Sequence, residues 1–335
     1  MRVRVVVCAA VVLVWFSFIG VLGASTAHAV PLGSLSQVVV FGDSIVDSGN
    51  TQNALGGPGG TPCAFSAPPC DPAPASFGYF DGRFTNGPNA ADFVNQAVSG
   101  GNSVATTEGG TNYSYGGARS VGGTLPDLSL QVGQFVLDVA GSADANALYV
   151  INIGGNDVRD QIQAVAGGTA TLTDQQVIDS VVAAITTGVS QLQSAGAQHI
   201  LVNGVGDVGS IPETLGLGGG APAHGRALSQ DLSSQLFAAL DPSVYSLDVI
   251  ALFDAVQLDP TLYGLPAGID VTGSCLTSGT PPACSNFAFF DPVHPSTELN
   301  AILADSMLLA IPEPGTALLF GLGLAGLSTR RRSCS

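Results

Sequence analysis

VVVFGDSIVDSGN, residues 38–50, decides how the rest of the chain is read. A run of β-branched and aromatic residues describes a buried strand, and it stops at Gly42, where an acid, a hydroxyl and a cluster of turn formers take over. Ser and Asp after Gly satisfy loose backbone groups at many strand ends, so Ser44 alone is either such a residue or a nucleophile. The second alternative requires a histidine, an acid to orient it, and donors for a developing negative charge, all delivered to strand ends elsewhere.

Other apolar runs ending in Gly, Asn or Asp follow: NYSYGG, ALYVINIGGND, HILVNGVGD and the weaker YSLDVIALF. Such near-continuous hydrophobic strands suit a parallel sheet covered on both faces. Between them, Val177, Val181, Ile185, Val189 and Leu192 recur at helical steps, with Thr173 or Asp174 placed to cap the start. RALSQDLSSQLFAAL and STELNAILADSMLLA repeat that pattern. Alternating strand and helix predicts an α/β fold of three layers, α/β/α, with right-handed crossovers and a mainly parallel, five-stranded sheet. Residues 51–81 and 264–290, rich in Gly, Pro and Cys, break the alternation. They either wall a site at the carboxyl ends of the strands or decorate the surface.

Three histidines lie beyond the first 29 residues. His199 opens an apolar strand and His224 approaches a helix, and both read as structural or solvated. His294, in FFDPVHPS, stands three residues after Asp291 between two prolines that stiffen the turn. At that spacing the carboxylate can hold the Nδ1 hydrogen and leave Nε2 free for a serine hydroxyl. Donors are available at two more strand ends: the amide of Asn156 in YVINIGGNDV, and the backbone at Gly116 or Gly117 in NYSYGGARS.

Taken together, FGDSIVDSGN, GRFTNGP (Gly82 to Pro88), NYSYGGARS, GGND and FFDPVHPS resemble, in order, the blocks of the GDSL, or SGNH, hydrolase family in its esterase and lipase branch. The resemblance implies a flavodoxin-like sheet, no metal and no cofactor. It also implies hydrolysis of carboxylic esters through an acyl-enzyme: Ser44 the nucleophile, His294 the general base and acid, Asp291 its orienter. The oxyanion donors it implies are the backbone N–H groups of Ser44 and Gly117 and the side chain of Asn156. The first block reads Gly-Asp-Ser-Ile where Leu is usual, which keeps an apolar side chain. An α/β-hydrolase would carry a G-x-S-x-G elbow, and this sequence has none. The substrate stays open among lipid esters, short-chain esters and O-acetylated exopolysaccharide, and an idle surface-binding protein on the same scaffold is the alternative from another class.

Both ends read as processing segments. Residues 1–29 combine MRVR, a long apolar stretch and the A-x-A site Ala27-His28-Ala29, and describe a secretory signal peptide to be removed by signal peptidase, the alternative being a retained anchor. Residues 312–335 run from Pro312-Glu313-Pro314 through thirteen uncharged residues to Arg330, Arg331 and Arg332. Thirteen residues make about 20 Å of helix, short for a bilayer core of about 30 Å. This tail resembles the PEP-CTERM signal of Gram-negative bacteria that make exopolysaccharide, which implies processing by an exosortase, transient association with the inner membrane, and export to the envelope or matrix. Residues 30–311 form the hydrolase domain of this reading.

That body carries four arginines against 24 acids, a formal charge of −20, which repels nucleic acid and suits solubility. Its four cysteines, Cys63, Cys70, Cys275 and Cys284, suggest two disulfides in an exported chain. Of three pairings, the local one, Cys63 with Cys70 and Cys275 with Cys284, demands least. No C-x-x-C or nearby histidine supports zinc.

Overall fold

The structure is a computed structural model that describes residues 30–64, 66–278 and 284–312. Residues 1–29, read above as a signal peptide, and the tail beyond Pro312 lie outside the described residues.

The apolar run that opens the sequence reading is strand β1 (Val38–Gly42), buried along its whole length. Three parallel strands follow it in order across the sheet: β2 (Leu148–Asn152), β3 (His199–Asn203) and β4 (Tyr245–Leu247). Side-chain alternation sends Val39, Phe41, Tyr149, Ile151, Ile200 and Val202 to one face, and Val38, Val40, Leu148, Val150 and Leu201 to the other. Both faces bury what they receive, which explains why the strands carry no polar alternation.

The first face is covered by α3 (Leu128–Asp138), α4 (Gly155–Ala166), α5 (Asp174–Ala195) and α7 (Ala221–Ala239). The second is covered by α2 (Ala90–Ser99), α8 (Val249–Leu258) and α9 (Thr297–Leu309). Two short helices, α1 (Asn50–Leu55) and α6 (Pro212–Leu217), lie in connections. The stripe predicted in α5 is buried as expected, and Thr173, not Asp174, caps it in a capping box with Gln176.

The expectation of five strands is corrected to four in the main sheet among the described residues. The fifth position, outside β1, is held by residues 111–115 in extended form. Val40 N–H donates to Thr111 O, and Tyr113 and Tyr115 N–H donate to Val40 O and Gly42 O. Only the Val40–Asn112 bridge is regular. Beside these three backbone bonds, the Asn112 and Ser114 side chains turn back onto Val46 O and pin the stretch further. Counting this segment, the spatial order is flavodoxin-like, with the chain crossing from one side of β1 to the other. Gly42 and Ser44 therefore sit at the switch point, where open α/β sheets form their crevice.

YSLDVIALF is also shorter as a strand than its apolar content predicts. Asp248 Oδ1 accepts from Ala251 N–H at 2.9 Å and starts α8 in the middle of that run. The irregular stretch 264–290 contains a small second sheet, β5 (Asp270–Ser274) with β6 (Phe287–Phe289). Cys63 is bonded to Cys70 and Cys275 to Cys284, the local pairing.

Candidate active site

β1 delivers Ser44 to the carboxyl edge of the sheet, two residues beyond its end, and leaves it 8 % exposed. The turn before α9 delivers Asp291 and His294. Asp291 Oδ1 accepts the N–H groups of Val293 and His294, both at 2.8 Å, and this closes the turn. His294 Nδ1 lies 2.7 Å from Asp291 Oδ2, and Nε2 lies 2.8 Å from Ser44 Oγ. Burial pushes the Asp291 carboxyl up, but His294 and the two backbone donors outweigh it and hold the group below its usual value. An ionised carboxylate only accepts, so Nδ1 carries the ring hydrogen and Nε2 is the acceptor facing Ser44.

The GRFTNGP segment clamps this turn from outside. Thr85 Oγ1 donates to Pro295 O at 2.9 Å, Thr297 N–H donates to Asn86 Oδ1 at 2.9 Å, and Thr297 Oγ1 donates to Pro88 O at 2.8 Å. The Phe84 ring lies against the imidazole of His294 with centroids 5.2 Å apart.

Asn156 is the second residue of α4, whose N-terminus points into the site. Its Nδ2 donates to Ala118 O at 2.9 Å, which orients the amide and leaves a second hydrogen. The neighbouring Asp157 accepts from Ser120 N–H and Oγ, tying α4 to the glycine segment. The two glycines differ in what surrounds them. A Cβ on Gly116 would stand 2.5 Å from the Phe84 ring, and the Gly116 N–H already donates to Asp47 Oδ2 at 2.9 Å. Gly117 has φ +76°, a conformation that favours glycine. Among the described residues, neither the Gly117 nor the Ser44 N–H has an acceptor.

Several residues that the sequence reading passed over build this arrangement. Asp47, fully buried, accepts from the N–H groups of Gly49 and Asn50 through Oδ1 and of Thr51 and Gly116 through Oδ2. Asn50 Nδ2 donates to Asn112 O and Ser114 O. Both stand in the opening motif, where they read as turn formers. Tyr79, from the irregular stretch 51–81, donates its hydroxyl to Asp291 Oδ2 at 2.8 Å. His199 and His224 lie elsewhere: His224 Nε2 is 2.8 Å from Asp174 Oδ2, and His199 Nδ1 is 3.3 Å from Tyr245 Oη.

A cavity of about 130 Å³ opens beside Ser44 and Asn156. One buried acid in its wall, Asp43, is pushed up to about 7 by burial, against the Ile45 N–H and His294, which pull it down.

Ser44, His294 and Asp291 are thus linked in a row at the switch point of a parallel sheet, an arrangement able to activate a serine hydroxyl. Residues 38–307 match the family model described as GDSL-like Lipase/Acylhydrolase, and residues 310–332 match the PEP-CTERM protein-sorting motif. The chain belongs to the GDSL-like lipase/acylhydrolase family and is a carboxylic ester hydrolase. Among its relatives are an uncharacterised protein of the trpE-trpG intergenic region of Pseudomonas putida, 27% identical over 85% of this chain and 50% of that one. A GDSL esterase/lipase of Arabidopsis thaliana is 26% identical over 80% of this chain and 88% of its own length. The chain thus spans half the length of the Pseudomonas protein and most of the plant one. A solved acetyl-xylooligosaccharide esterase from Geobacillus aligns with a TM-score of 0.42 and 16% identity, covering 84% of this chain and 96% of that chain.

Proposed function

We propose that this protein hydrolyses carboxylic esters by a serine acyl-enzyme route in which Ser44, His294 and Asp291 act as nucleophile, base and orienter. The relay of 2.7 Å and 2.8 Å through His294 carries the reading. Ser44 Oγ attacks the ester carbonyl while Nε2 takes its proton, and Asp291 stabilises the imidazolium that forms. The tetrahedral oxyanion is held by the N–H groups of Ser44 and Gly117 and the remaining hydrogen of Asn156 Nδ2. His294 then protonates the departing alcohol, and a water deprotonated by the same nitrogen releases the acid. The free N–H at Gly117, beside a Gly116 N–H taken by Asp47, supports the choice between the two glycines.

Residues 30–311 are the domain that performs this chemistry. Residues 1–29 direct export and are removed by signal peptidase. The tail is processed by an exosortase, which brings the hydrolase to the inner membrane transiently and then releases it to the envelope or matrix of a Gram-negative cell.

The test is kinetic. Ser44→Ala should abolish turnover and labelling by a serine-directed fluorophosphonate, with an unchanged circular dichroism spectrum. Asn156→Ala should keep the labelling site and lose about 10² to 10³ in kcat with little change in KM. Labelling that survives Ser44→Ala would remove the nucleophile assignment, and an Asn156→Ala effect confined to KM would remove the oxyanion assignment.

A further inference from the structure

In the proposed reaction Asn156 and His294 serve one carbonyl from two different elements, the first turn of α4 and the turn before α9. Each is held locally, Asn156 by Ala118 O and His294 by Asp291, and neither bond ties one element to the other. An oxyanion donor and a base nonetheless have to stand at a fixed separation, because a misplacement of about 1 Å can cost on the order of 10²-fold in rate.

A short chain of bonds supplies that separation. It starts at Arg159, three residues after Asn156 and therefore on the same side of α4. Arg159 Nη2 donates to Glu213 Oε1 at 2.6 Å and Arg159 Nε donates to Glu213 Oε2, a two-point fork. Gln163, one turn further along α4, donates from Nε2 to the same Oε2 at 3.0 Å. Glu213 stands in the first turn of α6, and its backbone N–H donates to Pro292 O at 2.9 Å. Pro292 lies inside the turn, between Asp291 and His294. Both carboxylate oxygens of Glu213 thus face α4 while its backbone holds the catalytic turn. Asn156, Arg159, Ile211 and Val293 all line the cavity beside Ser44, so the chain of bonds runs along its wall.

We infer that Arg159 and Glu213 are a positioning pair for the reaction: their fork sets α4 against the turn of Asp291 and His294 and keeps the Asn156 donor in register with the base. The roles of Asn156 and His294 come from the hydrolase reading above; the fork and its bonds stand apart from it. The two side chains are 29 % and 28 % exposed, so their charges add little to folding stability. What the fork offers is direction, since two parallel bonds from a planar guanidinium fix an angle as well as a distance.

Three variants test this. Glu213→Gln keeps the backbone bond to Pro292 and breaks the fork, because an amide turns a donor toward one of the facing nitrogens. Arg159→Lys keeps the charge and offers a single point of contact, and Arg159→Met removes both. Each is compared with the parent protein on p-nitrophenyl acetate and butyrate, across pH and in thermal melts, and Asn156→Ala is added to Glu213→Gln. The expected result is a kcat lower by roughly tenfold or more in all three, with KM within about twofold and the melting midpoint within about 3 °C. Asn156→Ala should cost roughly tenfold less in the Glu213→Gln background than in the parent, because a donor already out of register has less to lose. Parent-like kcat in Glu213→Gln or in Arg159→Lys overturns the fork, and full additivity with Asn156→Ala overturns the link to the oxyanion donor. If kcat survives while Glu213→Gln and Arg159→Met move the acid limb of kcat/KM in opposite directions, the pair acts on His294 through charge and positioning is overturned. A midpoint lowered by many degrees, with kcat lost and KM raised together, reduces the pair to a support of the fold. A parent protein with neither ester turnover nor fluorophosphonate labelling removes the hydrolase reading itself, and the positioning role with it.

Discussion

The Tyr79 hydroxyl and His294 Nδ1 meet on the same oxygen of Asp291, at 2.8 Å and 2.7 Å. Tyr79 reaches it from a loop 212 residues away, held edge-on against Phe290 with ring centroids 4.9 Å apart. Phe290 in turn packs with the Cys275–Cys284 disulfide. The orienting acid is therefore fixed from both sides: by its own turn through Oδ1, and by the irregular loop through Oδ2. Burial, then the Asp291 charge, push the tyrosine hydroxyl well above its ordinary value, so it stays a donor throughout the working range.

Removing that donor alone should act on His294 through Asp291. Tyr79→Phe keeps the ring contact with Phe290 and deletes one hydrogen bond to a charged acceptor, which is worth roughly 1.5 to 3 kcal/mol. We expect kcat to fall roughly tenfold with KM nearly unchanged, and the acid limb of the kcat/KM profile to move. A purely structural role would lower the melting temperature and leave the pH profile where it was.

Asp47 should govern the oxyanion loop without touching substrate. Its four backbone acceptor contacts tie the turn after Ser44 to Gly116, one residue before the proposed donor. Asp47→Asn turns an amide toward at least one pair of these N–H groups, so two contacts are lost and donors face donors. The expected result is a kcat at least tenfold lower, with little change in KM for the ester, and a reduced thermal midpoint. Equal losses in Asn156→Ala and in the double variant would place both residues on one pathway, whereas additive losses would separate them.

The difference between what the sequence discloses and what it hides follows contact distance. Ser44, Asn156, Asp291 and His294 are legible because each stands in a short block whose strand or turn is itself legible, and because Asp291 and His294 belong to one turn. The Gly116–Gly117 pair is ambiguous in sequence because two identical residues become distinct only through Asp47 and Phe84, which come from other segments. Tyr79 is hidden for the same reason: nothing periodic marks residues 51–81, and its partner is remote. The fifth strand read from NYSYGG is present only as a short stretch with three backbone bonds to β1 and one regular bridge, further held by its Asn112 and Ser114 side chains. Asp248 hides a helix start inside an apolar run for want of a change in hydrophobicity.

The end of the domain gives a sharper truncation test than the tail motif alone. Val30 N–H donates to Pro312 O at 2.8 Å, and Ile311 is buried, so the two ends of the body are tied together. A chain of residues 30–312 should retain full turnover. A chain stopped at Leu309 should lose the tie and the buried Ile311, and melt lower by several degrees, since burying such a side chain contributes about 1.5 to 3 kcal/mol. Equal melting of the two chains would show that the tie contributes nothing.

Asp43 stands next to Ser44 and is buried. Burial raises its folded value from 3.8 to about 7, opposed by the Ile45 N–H and by His294, while Asp157 and Asp47 add to the rise. Between pH 4 and 7 the unfolded chain has released this proton and the folded protein still holds it, so Asp43 makes folding progressively less favourable as pH rises through that window. Asp47 and Asp157 are also raised by burial and act in the same direction. Asp291 is depressed, so the stability it supplies is present above 3.8 and is lost only in stronger acid, outside the window. Asp43→Asn keeps an oxygen for the Ile45 N–H at 3.1 Å and cannot ionise. It should match the parent protein near pH 4 and exceed it in stability near pH 8, by an amount on the order of a few kcal/mol. Thermal melts of the two proteins from pH 4 to pH 8 measure the difference directly. A gap that stays constant with pH would mean that Asp43 titrates alike in the folded and unfolded chains, and that the cavity wall beside Ser44 carries a charge at neutral pH.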